Sequence, residues 1–285
     1  SEKVRELQDK LYATAKRQPG RRFPALLDRI YRSDILQEAW ERVRRNRGAA
    51  GVDGITLADV EAYGVDRMLS ELRRDLQEGK YRTQAVLRRY IPKADGKKRP
   101  LGIPTVRDRV AQAAVKIVLE PIYEAGFKDS SYGFRPGRQA VMAMEKIRTL
   151  ANKGYNHVLD ADIKDYFGSI DHEMLMKLVR RRVTDRRVLK LLRGWLKAGV
   201  MENGLRMGTI TGTPQGGVIS PLLSNIYLDY LDTIWERQCA KVGVLIRYAD
   251  DFVVLCESPE LAREAERRVR IIFERLKLTL HPEKT

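Results

Sequence analysis

Residues 247–254 read Arg-Tyr-Ala-Asp-Asp-Phe-Val-Val, and this stretch decides the fold class. Asp250 and Asp251 stand between two apolar runs, Val242-Gly243-Val244-Leu245-Ile246 and Phe252-Val253-Val254-Leu255. β-branched runs on both sides of a short polar break predict a hairpin with the acids at its tip. Two carboxylates presented together are costly to desolvate unless something positive binds them. A hard divalent cation that prefers oxygen ligands suits that position. An ordinary solvated Asp-Asp turn is the plain alternative, and the other motifs of the chain weigh against it.

A second acid cluster lies upstream, in Val158-Leu159-Asp160-Ala161-Asp162-Ile163-Lys164-Asp165-Tyr166-Phe167. Side chains alternate along a strand. Leu159, Ala161 and Ile163 would then share a face packed on helices, and Asp160 and Asp162 the open face. An acid at this strand's end and an acid at a neighbouring hairpin tip can meet around a metal pair. Two such ions, roughly 4 Å apart, activate a 3′-hydroxyl and stabilise leaving pyrophosphate. The alternative is that these acids only offset nearby basic groups.

Two more stretches carry binding chemistry. In Thr213-Pro214-Gln215-Gly216-Gly217 the glycine pair lets backbone approach a ligand closely, and Ser220-Pro221 can open the helix that follows. A basic hairpin over 88–99 sets Arg88, Arg89, Lys93, Lys97, Lys98 and Arg99 against one acid, Asp95. Asp95-Gly96 supports its turn. Such a tip suits a triphosphate or a nucleic-acid backbone, with a solvated charged hairpin as the alternative.

Composition agrees. The 285 residues suit one large domain or two smaller lobes. Lys plus Arg total 54 against 38 Asp plus Glu, a net charge of +16 that points to a polyanionic partner, most simply nucleic acid. Cys239 and Cys256 cannot build a disulfide framework, and His157, His172 and His281 form no zinc signature. No apolar run is long enough to span a membrane and no signal peptide is visible, so a cytoplasmic location is expected. The Ser1 start and abrupt end at Thr285 read as a piece of a longer protein.

Apolar periodicity predicts helices over 1–17, 24–46, 58–78, 106–125, 138–153, 171–182, 185–198, part of 213–237, and 259–276. Strands are expected at 88–93, 99–103, 157–163 and 205–210, besides the acidic hairpin. Without a strict βαβ rhythm this is an α+β fold with a mixed or antiparallel sheet. The glycine-rich loop 48–54 lacks the Lys-Ser/Thr ending of a phosphate-binding loop.

Taken in order, these motifs resemble a reverse transcriptase of the bacterial group II intron type. The resemblance runs from Gly51-Val52-Asp53-Gly54 through Ile91-Pro92-Lys93, Arg99-Pro100-Leu101-Gly102-Ile103-Pro104 and Tyr132-Gly133-Phe134-Arg135-Pro136-Gly137. It continues through Asp162-Ile163-Lys164 to Phe167, Thr213-Pro214-Gln215-Gly216-Gly217, Tyr248-Ala249-Asp250-Asp251 and Leu280 to Thr285. It implies a right-hand polymerase with an antiparallel palm sheet backed by helices. Residues 1–50 would form a helical extension, 51–155 fingers with part of the palm, and 156–285 the palm, with the thumb absent. It implies that Asp162, Asp250 and Asp251 are catalytic and hold two Mg2+ ions, with Mn2+ as the alternative ion, and that the Ile163 carbonyl completes one shell. Lys93 and Arg99 would grip the dNTP, Phe167 would exclude a 2′-hydroxyl, and Gln215 would pack beside the nascent base pair. Arg88, Arg89, Lys97, Lys98, Tyr132, Phe134, Arg135 and Arg138 would contact nucleic acid. The implied partners are group II intron RNA, an RNA template with a DNA primer, and dNTPs. The N-terminal helices would serve RNA binding or a homodimer. Two other readings stand beside this one: an RNA-binding maturase piece inactive as a polymerase, and a CRISPR- or defence-linked bacterial enzyme.

Overall fold

Residues Val106–Glu124 form a helix buried on nearly every face, with Asp108, Arg109 and Gln112 buried among the apolar side chains. In the computed structural model, which describes residues 1–92, 94–202 and 218–282, this helix forms a core. In chain order the elements are α1 (Glu2–Arg17), α2 (Leu27–Ile30), α3 (Ser33–Asn46), α4 (Leu57–Tyr63), α5 (Val65–Gln77), β1 (Leu87–Pro92), β2 (Lys98–Ile103), α6 (Val106–Glu124), α7 (Ala140–Asn152), β3 (His157–Ala161), α8 (Tyr166–Ser169), α9 (His172–Val179), α10 (Arg186–Lys197), α11 (Ser220–Ile234), β4 (Val244–Tyr248), β5 (Asp251–Cys256) and α12 (Pro259–Arg275). The chain divides into two compact units, Ser1–Gly126 with Val179–Ser220, and Phe127–Leu178 with Pro221–Thr285.

In the first unit α1 and α3 pack along α6, whose Val110, Ala114, Ile117 and Val118 are fully buried. Thr105 opens α6 by accepting a hydrogen bond from the Asp108 amide at 3.1 Å. Buried Arg109 donates to the carbonyls of Arg47 (3.3 Å) and Ala49 (2.6 Å). A Cβ on Gly51 would lie 2.7 Å from the Thr105 backbone, so this position requires glycine. The glycine-rich loop is thus a strap bound to the start of α6.

Two expected helices break in this unit. The span 24–46 divides into α2 and α3. Buried Asp185 accepts hydrogen bonds from the amides of Leu26 (2.8 Å) and Leu27 (3.0 Å), and extended Arg32 stands before α3. The span 58–78 divides at Gly64, whose φ of 113° is open to glycine alone among ordinary residues. The expected basic hairpin is present as β1 and β2, antiparallel with Ile91 opposite Arg99 and Pro92 opposite Lys98.

The second unit holds a three-stranded antiparallel sheet in the order β3-β5-β4. Helix α12 packs on β3 and β5, where the Phe252 ring lies 5.7 Å from Phe273. Helix α7 covers the opposite face of β4 and β5, placing Ala143 and Leu150 against Ile246 and Leu255. This is the α+β class expected, an antiparallel sheet backed by helices. Strand β3 ends at Ala161 rather than 163, and Ile163 instead forms a lone bridge with Leu280. The strand expected at 205–210 lies outside the described residues. No described helix is long and apolar enough to cross a membrane.

Candidate functional site

The acidic hairpin folds as read. Tyr248 pairs with Asp251, leaving Ala249 and Asp250 as a two-residue loop. Ala249 has φ 58°, the left-handed conformation that a tight turn needs at its first loop position. For a residue with a Cβ this costs about 1 kcal/mol, so the surroundings must enforce it.

They do so from two sides. The Ser131 segment runs beside β4: the Arg247 amide donates to the Ser130 carbonyl at 2.7 Å, and the Tyr132 amide donates to the Arg247 carbonyl at 2.9 Å. This lays Gly133 on the turn, where a Cβ would lie 2.5 Å from the Ala249 nitrogen. From beneath, the fully buried Arg247 guanidinium donates to the Ala249 carbonyl at 2.6 Å. Its other donors reach Asn225 Oδ1 (3.1 Å), Ser131 Oγ (2.9 Å) and both oxygens of Asp232 (2.9 and 2.7 Å). All five guanidinium N–H groups are thereby used. Asn225 in turn donates to the Gly133 carbonyl at 2.9 Å, closing the ring.

Gly133→Ala is therefore expected to push the turn, with a destabilisation of about 1–3 kcal/mol in urea unfolding. Unchanged stability would show that the turn can yield there.

Asp162 stands immediately past β3. Ala161 pairs with Phe252 across strands about 4.8 Å apart; Asp162 directly follows that last pair on one chain segment and Asp251 directly precedes it on the other. Leu159, Ala161 and Ile163 are buried while Asp160 is exposed and Asp162 half-buried, the alternation expected. Asp250 is half-buried and Asp251 exposed. The backbone beyond Asp162 is held by the His281 amide, which donates to the Asp162 carbonyl at 2.7 Å, and by the Lys164 amide, which donates to Thr279 at 2.8 Å. Among the described residues no group of three or more His, Cys, Asp or Glu side chains stands ready to hold a metal ion.

Phe167 is half-buried on α8, its ring edge-on to Tyr166 at 4.9 Å. The buried Tyr166 hydroxyl meets Ser224 Oγ at 2.8 Å, and burial pushes its pKa up. The exposed Phe134 ring lies 6.2 Å from Tyr248. Tyr132 is buried, with Arg138 over its ring at 4.5 Å. Arg135 donates to the carbonyls of Lys128 and Ser131, both at 2.7 Å, and Arg138 to those of Asp129 (2.7 Å) and Ser131 (2.5 Å). Both arginines thus staple the 128–131 loop that supports the turn.

In the first unit Arg88, Arg89, Lys97 and Lys98 are exposed on the basic hairpin, and the Lys97 amide donates to Asp95 Oδ1 at 3.0 Å. Arg99 pairs through its backbone with Ile91. Lys93 and Gln215 lie outside the described residues.

Sequence reading missed the Arg247 ring. Its signal was an arginine closing an apolar β run and an aspartate inside an apolar helix, both needing partners if buried. Asp229, one turn before Asp232, is pushed up to about 7, first by burial and then by the Asp232 charge. A raised carboxyl pKa adds stability below the unfolded value near 4, which is lost as pH rises through about 7. Asp229→Asn should flatten that part of the stability profile in urea melts. A profile like the parent's would contradict the burial of this charge.

Residues 91–285 match the family described as "Reverse transcriptase (RNA-dependent DNA polymerase)". "Protein YkfC" of Escherichia coli (strain K12) is 36% identical over 321 residues, covering 99% of this chain and 84% of that protein. "Group II intron-encoded protein LtrA" of Lactococcus lactis subsp. cremoris is 40% identical over 211 residues, covering 74% of this chain but only 35% of that protein. A solved structure titled "Partial Cas6-RT-Cas1--Cas2 complex" aligns at TM-score 0.44 and 22% identity, over 87% of this chain and 42% of that one. Reverse transcriptases use divalent metal ions and bind an RNA template. On the family match, the chain belongs to the reverse transcriptase (RNA-dependent DNA polymerase) family, and over 74% of its length it is similar to a group II intron-encoded protein.

Proposed function

We propose that this chain copies RNA into DNA by two-metal nucleotidyl transfer, with Asp162 and Asp250 as the principal metal ligands and Asp251 beside them. The observation that supports this most is the register that sets Asp162, at the end of β3, next to the clamped turn. The donor set, three carboxylates and the Ile163 carbonyl, is all oxygen and suits Mg2+, with Mn2+ as a substitute. Mg2+ is commonly held by one or two carboxylates plus substrate phosphates, so no cage of protein ligands is required. Bound there, such ions would acidify the primer 3′-hydroxyl and neutralise charge on the leaving pyrophosphate.

In the reaction the 3′-oxygen loses its proton and bonds to the α-phosphorus of the dNTP. The bond from that phosphorus to the bridging oxygen breaks, and pyrophosphate leaves. The chain's part is to hold carboxylates at fixed positions. Asp162 is anchored through its backbone to residue 281, and Asp250 through the grip of Arg247 on the preceding carbonyl. Lys93 and Arg99 would pair with the triphosphate, Gln215 would pack beside the new base pair, and Phe167 would stand under the incoming sugar. Phe167→Ala is then expected to raise rNTP incorporation at least tenfold relative to dNTP in single-nucleotide assays, since a steric exclusion worth about 1.4 kcal/mol is a factor of ten. Unchanged sugar selectivity would remove Phe167 from the gate.

In this reading residues 51–155 act as fingers and 156–285 as palm, behind an extension of 1–50. Exposed Arg88, Arg89, Lys97 and Lys98 would meet RNA phosphates, with Phe134 stacking on a base. Group II intron RNA is the proposed bound RNA, held in a cytoplasmic ribonucleoprotein that serves splicing and retrohoming. Extension of a DNA primer on an RNA template, dependent on Mg2+ and abolished by chelator, tests the proposal.

A further inference from the structure

We infer that the first unit carries a second nucleic-acid site, a cavity between α10 and residues 76–85 that takes a nucleotide of an RNA strand with its base inward and its phosphates on the rim. The cavity measures about 830 Å³. That is large enough for a nucleotide-sized ligand. Its floor is apolar, with Leu27, Leu76 and Leu191 among the lining residues. Its rim carries Arg82, Arg187, Lys190, Arg193 and Lys197; Glu78 is the acid among the lining residues, and Arg187 already pairs with Asp185 (3.2 Å) and Asp28 (3.4 Å), which leaves Lys190 and Lys197 as the cations tested. Glu78 already pairs with Lys80 at 2.9 Å.

The rim is built by an amphipathic helix. Val188, Leu189, Leu192, Trp195 and Leu196 of α10 are buried. Arg187, Lys190, Arg193 and Lys197 recur at three- or four-residue steps on the outer side. At 1.5 Å per residue this row is about 15 Å long, a line of cations that matches a line of phosphates. A cationic helix face alone would be ordinary solvation. The apolar cavity beneath it calls for a ligand that is both anionic and flat, which a nucleotide is. The chain's net charge of +16 favours the same class of partner.

The walls are preformed. Buried Asp108 accepts from the Tyr81 hydroxyl, from Thr83 Oγ1 at 3.1 Å and from the Gln84 amide at 2.9 Å. Trp195 Nε1 donates to the Tyr81 hydroxyl at 3.1 Å, and the Val86 amide donates to the Ala198 carbonyl at 3.2 Å. Both sides of the cavity are therefore tied to each other before any ligand arrives, which lowers the ordering cost of binding.

The site makes no use of the polymerase carboxylates, so it can be tested without catalysis. A short single-stranded RNA carrying 4-thiouridine is bound to the whole chain in EDTA, without dNTP, across a salt series. Lys190→Ala/Lys197→Ala should bind about tenfold more weakly, and the slope of log affinity against log salt should flatten by roughly 1.4. Ala85→Trp, which fills the cavity and leaves every charge, should weaken binding while keeping the slope. Photocrosslinks should map to residues 76–85 or 186–198. Parental affinity and slope in both variants, or crosslinks confined to other segments, would overturn the site. Displacement of the RNA by an equimolar amount of free UMP would overturn the RNA assignment in favour of a mononucleotide. Primer extension on a preformed primer-template should be unchanged in all these variants, which separates failure here from failure of the polymerase proposal.

Discussion

Asp250→Asn should extend a primer at least a thousandfold more slowly than the parent while binding RNA with nearly parental affinity. The substitution keeps the size of the side chain and removes its charge. Loss of a metal ligand forfeits several kcal/mol of transition-state stabilisation. At 1.36 kcal/mol per tenfold, three such factors need only about 4 kcal/mol. RNA binding should survive because phosphate contacts come from cations, and removing an acid does not weaken them. Rapid-quench extension and equilibrium binding on the same preparation measure both quantities. Normal extension by Asp250→Asn would remove this residue from the chemistry.

Arg247→Met should be the most damaging substitution for stability. It strands Asp232 as a buried charge and leaves Asn225, Ser131 and the Ala249 carbonyl without their donor. Breaking one side of a buried pair typically costs about 3–5 kcal/mol. Burial alone pushes the arginine pKa down, but the facing Asp232 outweighs that and holds it up, as a tight ion pair requires. A second variant separates folding from function. In Arg247→Met/Asp232→Leu both charges are gone, and replacing a buried pair by apolar groups is often neutral. Urea unfolding should show recovery of most of the lost stability, while primer extension stays low because the Ala249 carbonyl is still ungripped. Recovery of extension together with stability would show that the turn needs no clamp.

Much of the fold was legible because local patterns carried it. The β-branched runs around Asp250-Asp251 made β4 and β5. Asp95-Gly96 marked the β1–β2 turn. The alternation over 159–163 put Asp162 on the open side of β3. What escaped was set by distant partners. The start of α2 is held by Asp185, more than 150 residues away in sequence. The end of β3 depends on a bridge from Ile163 to Leu280. The short helix α8 follows Asp165, whose φ of 42° no periodicity reports. Gly64 was visible as a glycine, yet the apolar spacing ran through it and hid the break. The Arg247 ring gathers residues from 131 to 249, so only an arginine closing an apolar strand and an aspartate inside an apolar helix hinted at it.

The site divides the same way. Residue types pointed to the acids proposed to bind metal, because few chemistries want adjacent carboxylates at a hairpin tip. They did not reveal that Arg135 and Arg138 hold backbone carbonyls of the supporting loop, since an arginine's partner is not written beside it.

The most direct measurement is extension of a DNA primer on an RNA template by the purified chain, with dNTPs and Mg2+, followed by sequencing of the product. The expected result is a DNA strand complementary to the template, lost on chelation and absent with Asp162→Asn. An undamaged chain that binds the primer-template tightly but yields no RNA-templated DNA would contradict the assignment of polymerase activity to it, and would leave RNA binding as its function.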